Sequence, residues 1–375
     1  MNVSNTLIIW HKDNARELPW KSDKDPYKIW ISEIILQQTR VAQAKSYYLS
    51  FISHFPTLES LANAPLDQLI RLWQGLGYYS RARNMHMAAG QIMTEYHGQF
   101  PRTTKELSRL KGVGPYTAAA IAAFAFDAPV VALDGNAFRI FARLFAEPSP
   151  IDSLSARTLF SNIAQQCMSN TPSSLFNQAI MDFGSLVCTP RPKCHDCPLS
   201  DQCLAFLQNR VSEFPVKGVK KAPKARYFYY LHITLQEHDP TLQEHNPTLQ
   251  EYTFIQQRLQ RDIWQKLYQF PLIETRTPIS PDDLPNLLEW GAIFRGIEPH
   301  IAGYAPKYIH RLTHQVLHTF FIYVRIEKES EWLQSHCKKI HVSSLDNYGI
   351  PRLMERYLQD GTIKYLPLAH ANLLE

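Results

Sequence analysis

The stretch Leu110-Lys111-Gly112-Val113-Gly114-Pro115-Tyr116-Thr117-Ala118 decides how the first half of this chain is read. Gly112 and Gly114 open backbone angles that side chains close off, so the chain can turn sharply there and leave its N–H groups uncovered. Pro115 suits the first turn of a helix. The alanine-rich residues 117–126 predict a tightly packed helix whose positive end faces back at the turn. Such an end holds an anion. The same residues also read as a plain tight turn, because short Gly-x-Gly matches are common.

With a helix on either side, the segment resembles a helix-hairpin-helix, which grips a DNA backbone without reading its bases. From Tyr27 to about Phe206 apolar residues recur at helical spacing, as in Ile31, Ile34, Ile35 and again Leu66, Leu69, Ile70, Trp73. Pro56, Pro65, Pro101 and Pro172 punctuate the run, and Asp67, Thr103 and Ser173 stand where N-caps are expected. After Arg226 the texture changes. Residues 227–233 and 319–326 are rich in aromatic and β-branched side chains, so the second half is expected to mix α and β. Between the halves, residues 210–226 hold six basic side chains, one acid and two prolines. They read as a connector, either solvated or laid along a polyanion. The expected division is a helical domain over 1–209, a connector over 210–226 and an α+β domain over 227–375.

Inside the second half a Leu-Gln-Glu repeat runs over 234–240, 241–247 and 248–252. Pro240 and Pro247 exclude a continuous coiled coil, and the repeat reads as an enlarged hairpin loop between two strands. At 375 residues the chain exceeds one typical domain, and 45% hydrophobic residues permit sizeable cores. A net charge of +5 favours a polyanionic partner without requiring one. No apolar run approaches the roughly 20 residues of a membrane-spanning helix. The polar start lacks a secretory pattern, so a cytoplasmic location is expected.

Cys188, Cys194, Cys197 and Cys203 are separated by five, two and five residues, close enough to converge on one centre. Four thiolates suit structural zinc or an iron-sulfur cluster, and spacing does not separate the two. Arg191 and Lys193 give this loop a basic face, while Cys167 and Cys337 read as ordinary thiols. Glu33 stands among large apolar residues, where burial would disfavour its charged form and suit it to donate a proton. A helix-surface glutamate is the plainer reading of it. Asp134, in Leu133-Asp134-Gly135-Asn136, is either a helix cap or an ionised carboxylate. A protonated carboxyl paired with an ionised one is what cleavage of a glycosidic bond requires.

Taken in order, Glu33 with the following Leu-Gln-Gln-Thr, Gly-Leu-Gly-Tyr-Tyr-Ser-Arg-Ala-Arg over 75–83, the glycine hairpin, Leu-Asp-Gly-Asn and the four cysteines closely resemble MutY-type adenine DNA glycosylases. The resemblance covers most of residues 7–206 and continues more weakly beyond. It implies duplex DNA carrying adenine opposite 8-oxoguanine or guanine as the partner, and a monomeric enzyme of base excision repair that flips adenine into a pocket. By the same resemblance Glu33 protonates adenine N7 and Asp134 stabilises the cationic sugar, through a transient covalent intermediate, while Tyr116 and Asn136 position these groups and the water. Trp20 and Gln178 line the adenine pocket. Gln38 and Tyr78 enter the base stack, and Thr39, Gly112, Val113 and Gly114 also meet DNA.

The four cysteines would hold a 4Fe-4S cluster, although this chain has five residues between the first two where the family usually has six. The second half resembles a Nudix fold without the box of clustered glutamates, so metal-dependent pyrophosphate hydrolysis is not expected. Thr313 and His314 stand where the family reads the lesion, Thr313 replacing the commoner serine with its hydroxyl retained. Tyr116 occupies the place of the nucleophilic lysine of endonuclease III-type glycosylase/lyases, and a tyrosine cannot form their Schiff base. A non-catalytic protein that binds mismatched DNA is the alternative from another class.

Overall fold

The computed structural model describes residues 2–21, 23–218, 222–238 and 249–360. The chain divides into two compact units, Met1–Leu66 with Arg81–Lys220 and Asp67–Ser80 with Lys221–Glu375. As the sequence led us to expect, helices come first and a mixed α and β part follows.

The helices of the first half are α1 (Val3–Asn14), α2 (Pro26–Leu36), α3 (Val41–His54), α4 (Leu58–Ala62), α5 (Leu66–Leu72), α6 (Ser80–Glu95), α7 (Thr104–Leu107), α8 (Pro115–Phe126), α9 (Gly135–Leu144), α10 (Leu154–Met168), α11 (Ser173–Leu186) and α12 (Leu204–Leu207). All of α5 except Leu66 belongs to the second unit. Thr103 caps α7 as expected, its hydroxyl accepting the Glu106 N–H at 3.2 Å. Two other expected caps are corrected. Asp67 lies inside the first turn of α5, and Ser173 is the first residue of α11, its hydroxyl donating to Ala128 O at 2.6 Å.

The 110–118 turn closes with the Val113 N–H on Leu110 O at 3.1 Å. Gly112 takes φ +76°, and a Cβ built there would stand 2.6 Å from Asn84 Cβ, so glycine is required by both conformation and space. Gly114 is the N-cap of α8, Pro115 opens the helix, and no side chain caps that end. Thr117 through Ala123 are all buried. Their small side chains let α8 pack against α2, α7 and α11 at once. α2 starts at Asp25, whose carboxylate accepts the Tyr27 N–H at 2.9 Å, and it is buried without a break from Ile29 through Ile35.

One fully buried carboxylate ties three segments of this unit together. Asp182 on α11 accepts the Arg16 N–H at 3.1 Å, Arg16 Nε at 2.7 Å and Lys21 Nζ at 2.6 Å, and His11 Nε2 lies 3.1 Å away. Burial alone would raise the Asp182 carboxyl, but the hydrogen bonds from His11, Lys21 and Arg16 hold it well below the usual carboxylate range. Residues 15–21 are thereby fastened to α1 and α11.

In the second unit β1 (Lys224–His238), β2 (Leu249–Gln257), β3 (Tyr268–Gln269), β4 (Leu272–Thr275), β5 (His300–Tyr304), β6 (Tyr308–Arg311), β7 (Gln315–Ile326) and β8 (Lys338–His341) form one mixed sheet. The two runs read as strands lie side by side, β1 parallel to β7 from Lys224 opposite Gln315 to Leu235 opposite Ile326. Tyr229, Leu231 and Ile233 face α13 (Leu288–Ile293) and α14 (Glu331–His336). Phe228 and Tyr230 face α15 (Arg352–Gln359). Burial on both faces explains why β1 is apolar without alternation.

The repeat is more ordered at its ends than a loop. β1 and β2 pair antiparallel with Thr234 opposite Thr253 and Glu237 opposite Gln250, and Leu235 is buried in the core. Its outer copies therefore form a ladder, while residues 239–248 lie outside the described residues. The basic connector is also less uniform than expected. Phe214 is 2% exposed in the core of the first unit, whereas Lys224, Ala225 and Arg226 already belong to β1.

Three substitutions test this architecture by urea unfolding. Gly112→Ala should cost about 1–3 kcal/mol from the left-handed backbone and the clash with Asn84, whereas Gly114→Ala, in ordinary backbone geometry facing open space, should cost less than about 1 kcal/mol. Asp182→Asn should cost about 3 kcal/mol, the lower end for a broken buried pair, because Arg16 and Lys21 keep partial access to solvent.

Candidate active site

Glu33 from the middle of α2, Tyr116 from the first turn of α8, and Asp134 and Asn136 at the start of α9 line one cavity of about 420 Å³ in the first unit. Trp20, Gln38, Thr39 and Gln178 line it too. Its four polar groups form two hydrogen-bonded pairs. The Tyr116 hydroxyl donates to Glu33 Oε2 at 2.6 Å. Asp134 caps α9 by accepting the Ala137 N–H at 2.7 Å and also accepts Asn136 Nδ2 at 2.7 Å. It is thus both a helix cap and a pocket residue.

Glu33 is 5% exposed, so the helix-surface reading does not hold. Burial pushes its carboxyl up to about 7; the Tyr116 hydrogen bond pulls the other way, and the charge of Asp134 adds to the rise. Burial also raises the Asp134 carboxyl, opposed by the N–H groups of Ala137 and Asn136 and by the Asn136 side chain. Asp134 has the richer set of donors and the helix N-terminus behind it, so it ionises first and its charge keeps the proton on Glu33. Burial raises the Tyr116 phenol well above its ordinary value, so it stays neutral and donates.

Further side chains hold this set in place. Arg81 Nη1 donates to Ile34 O at 2.9 Å and to Gln37 O, closing the C-terminal turn of α2. Gln37 Nε2 donates to Thr117 Oγ1 at 3.2 Å, and the next residue, Gln38, takes φ +60° and is exposed. Trp20 packs edge-on to Tyr48 with ring centroids 5.4 Å apart. Arg139 Nη2 donates to Asn136 Oδ1 and to Gly184 O, both at 2.7 Å, and its Nε donates to Cys188 O at 2.7 Å. Sequence reasoning missed Arg16, Lys21, Arg81, Arg139 and Asp182. The available signals were a lone acid in the apolar residues 179–183 and two arginines four apart on α9.

Cys188, Cys197 and Cys203 are half-buried against the core of the first unit. Burial pushes the Cys197 thiol up to about 11, and Cys188, Cys203 and Cys194 each push it further, so the four sulfurs lie within electrostatic reach of one another. Cys194 and Cys203 are raised for the same reasons. Arg143 Nη1 donates to Cys188 Sγ at 3.5 Å. Four clustered thiols beside a guanidinium fit a soft metal centre, which would hold them as thiolates. Among the described residues no three His, Cys, Asp or Glu side chains are arranged about a single metal ion.

Tyr78, Thr313 and His314 come together in the second unit. Thr313 and His314 are exposed in the turn between β6 and β7. That turn is held by the Leu312 N–H on Gln315 O at 2.8 Å and the Lys224 N–H on His314 O at 2.9 Å. Tyr78, 47% exposed at φ +46°, places its hydroxyl 2.7 Å from Thr313 Oγ1.

Residues 31–165 match the family of HhH-GPD superfamily base excision DNA repair proteins, and residues 248–360 match the NUDIX domain. The adenine DNA glycosylase of Buchnera aphidicola subsp. Baizongia pistaciae (strain Bp) is 37% identical over 276 residues, covering 71% of this chain and 72% of that protein. That of Buchnera aphidicola subsp. Acyrthosiphon pisum (strain APS) is 30% identical over 361 residues, covering 95% and 97%. Among solved structures, that of a thermostable thymine-DNA glycosylase superposes with a TM-score of 0.51 at 28% identity, covering 55% of this chain and 95% of that one. Likeness to the second of these Buchnera enzymes covers 95% of the chain and so runs through both units, and on that ground the chain belongs to the adenine DNA glycosylases.

Proposed function

We propose that this protein hydrolyses the N-glycosidic bond of adenine mispaired with 8-oxoguanine or guanine in duplex DNA. It acts as a monomeric, monofunctional enzyme of base excision repair in the cytoplasm. The observation that carries this reading is the pair of carboxyls in one cavity, Glu33 bonded to Tyr116 and Asp134 bonded to Asn136 and the start of α9. An extruded adenine enters the 420 Å³ cavity beside Trp20 and Gln178, whose amide offers both a donor and an acceptor to the base edge.

Glu33 is protonated near neutral pH and gives its proton to adenine N7. As the bond to C1′ breaks, the electron pair leaves with the base and the sugar becomes an oxocarbenium ion. The Asp134 carboxylate faces that cation, stabilising it or closing on C1′ as a transient ester, and water then completes hydrolysis. Asn136 holds the carboxylate in place, itself fixed by Arg139. Tyr116 orients Glu33 and, having no amine, forms no Schiff base with the sugar.

The turn of Gly112, Val113 and Gly114 at the uncapped start of α8 takes a phosphate through the N–H groups of its two glycines, the Val113 N–H already closing the turn. Gln38 and Tyr78 enter the base stack, Thr39 also meets DNA, and Thr313 and His314 read 8-oxoguanine. Cys188, Cys194, Cys197 and Cys203 hold a 4Fe-4S cluster in preference to zinc. That cluster supplies a crosslink that fixes the loop as a basic DNA-facing surface.

Single-turnover kinetics on duplexes with adenine opposite 8-oxoguanine, guanine or thymine test the reading, and equal rates on all three would overturn the roles of Thr313 and His314. Glu33→Gln should lower base release by about 10²–10⁴-fold with duplex binding retained; full release would remove Glu33 from its role. The rate should fall as pH rises through about 7, where Glu33 loses its proton. Tyr116→Phe removes a donor to the ionised carboxylate, raises that pKa further and should move the alkaline limb upward. An unmoved limb would assign it to another group.

A further inference from the structure

Four residues beyond Arg139, on the same helix, Arg143 is 4% exposed. Its guanidinium joins two segments far apart in sequence. Nη1 donates to Thr189 O at 2.7 Å and to Cys188 Sγ at 3.5 Å, and Nη2 donates to Pro190 O at 3.1 Å, all in the cysteine loop. Nε donates to Phe214 O at 3.1 Å, in the basic connector. The Arg143 carbonyl accepts Cys203 Sγ at 3.4 Å, so the same residue touches both ends of the cysteine set. The planar fork of arginine can serve these acceptors together, and a single ammonium cannot.

Phe214 begins a strap. Its ring is buried in the core of the first unit. Two residues on, Val216 O accepts the Ile151 N–H at 3.1 Å. Two further on, the Gly218 N–H reaches both carboxylate oxygens of Asp152 at 3.0 and 3.1 Å. A Cβ on Gly218 would stand 2.9 Å from Asp152 Oδ2, so a side chain there would push the carboxylate aside. The connector is anchored at 214, 216 and 218, and β1 begins at Lys224. Five residues then remain between the last anchor and the sheet, a reach of at most about 20 Å.

We propose that Arg143 is a positioning residue that makes docking of this strap depend on the cysteine loop being held by its metal centre. The proposal rests on the reading that the four cysteines bind metal. With the thiolates held, Thr189 O and Pro190 O are fixed, the guanidinium is fixed by them, and Phe214 O has a rigid donor. With the thiolates released, the loop carbonyls move, the guanidinium loses its footing and the strap detaches. The tether of the second unit then lengthens, and the local concentration of Thr313 and His314 at the lesion falls. Loss of metal therefore lowers the preference for 8-oxoguanine over guanine more than it lowers adenine release itself.

Limited trypsin digestion of the full chain tests this, with cleavage after Lys217 followed by mass spectrometry and metal content measured on the same samples. The metal-loaded wild type should be cleaved slowly there. Arg143→Met and Arg143→Lys should be cleaved several-fold faster at equal metal content, and so should Asp152→Ala, which frees the strap without touching the cysteine loop. Removing metal from the wild type should speed cleavage to the level of Arg143→Met, and removing it from Arg143→Met should add nothing. Where Arg143→Met fails to fold, the loaded and stripped wild type decide. Metal content separates the two failures: a protein with no metal at its cysteines sinks the metal reading, whereas a loaded protein whose strap is indifferent to stripping sinks this proposal alone.

Discussion

Two desolvated carboxyl groups share one cavity, and the rest of the first unit is arranged around that constraint. Desolvation drives both Glu33 and Asp134 toward their neutral forms. Their surroundings then part them. Asp134 sits at a helix N-terminus, with backbone and amide donors and the favourable end of a helix dipole. Glu33 sits in the middle of a helix among isoleucines, with one phenol as donor. The ionised member is the one the backbone can stabilise, and its charge holds the proton on the other.

Such a cavity needs helices that approach closely, and the alanines of α8 allow it. A larger residue in the buried run from Thr117 to Ala123 would push α2 away and carry Glu33 from Tyr116. α9 serves a different end. Along ten residues it presents a cap, an amide and two arginines, and these reach the cavity, the cysteine loop and the connector in turn. A helix with charged groups at that spacing on its inner face is stable only if each group finds partners, and here every guanidinium nitrogen of Arg139 and Arg143 has an acceptor.

The parts of this fold that were legible in the sequence are those set by local rules. The 110–118 turn needed only its glycines and proline, and the strands at 227–233 and 319–326 needed only their composition. What escaped was set by distant partners. Asp182 is a lone acid until α1 and residues 15–21 arrive with His11, Arg16 and Lys21. Glu33 read as a surface glutamate because nothing local shows that α8 closes over it. The outer copies of the repeat read as loop, yet Leu235 has a core to enter once β1 lies beside β7. Residues 210–226 read as a connector, solvated or laid along a polyanion, because their basic charge hid Phe214, which docks in the core of the first unit.

Tyr78 marks the sharpest difference between chain order and spatial order. It lies within a glycine-rich run of the helical half, yet residues 67–80 group with the sheet-bearing unit. A positive φ on a tyrosine costs free energy that its surroundings must offset, and the hydrogen bond to Thr313 is one contact that does so. The turn bearing Thr313 is itself held by Lys224 and by Arg226, whose Nη1 reaches Gln315 Oε1 at 3.0 Å while the same guanidinium grips Asp262 and Glu274. The Tyr78 and Thr313 hydroxyls, 235 residues apart in the chain, therefore meet within one unit.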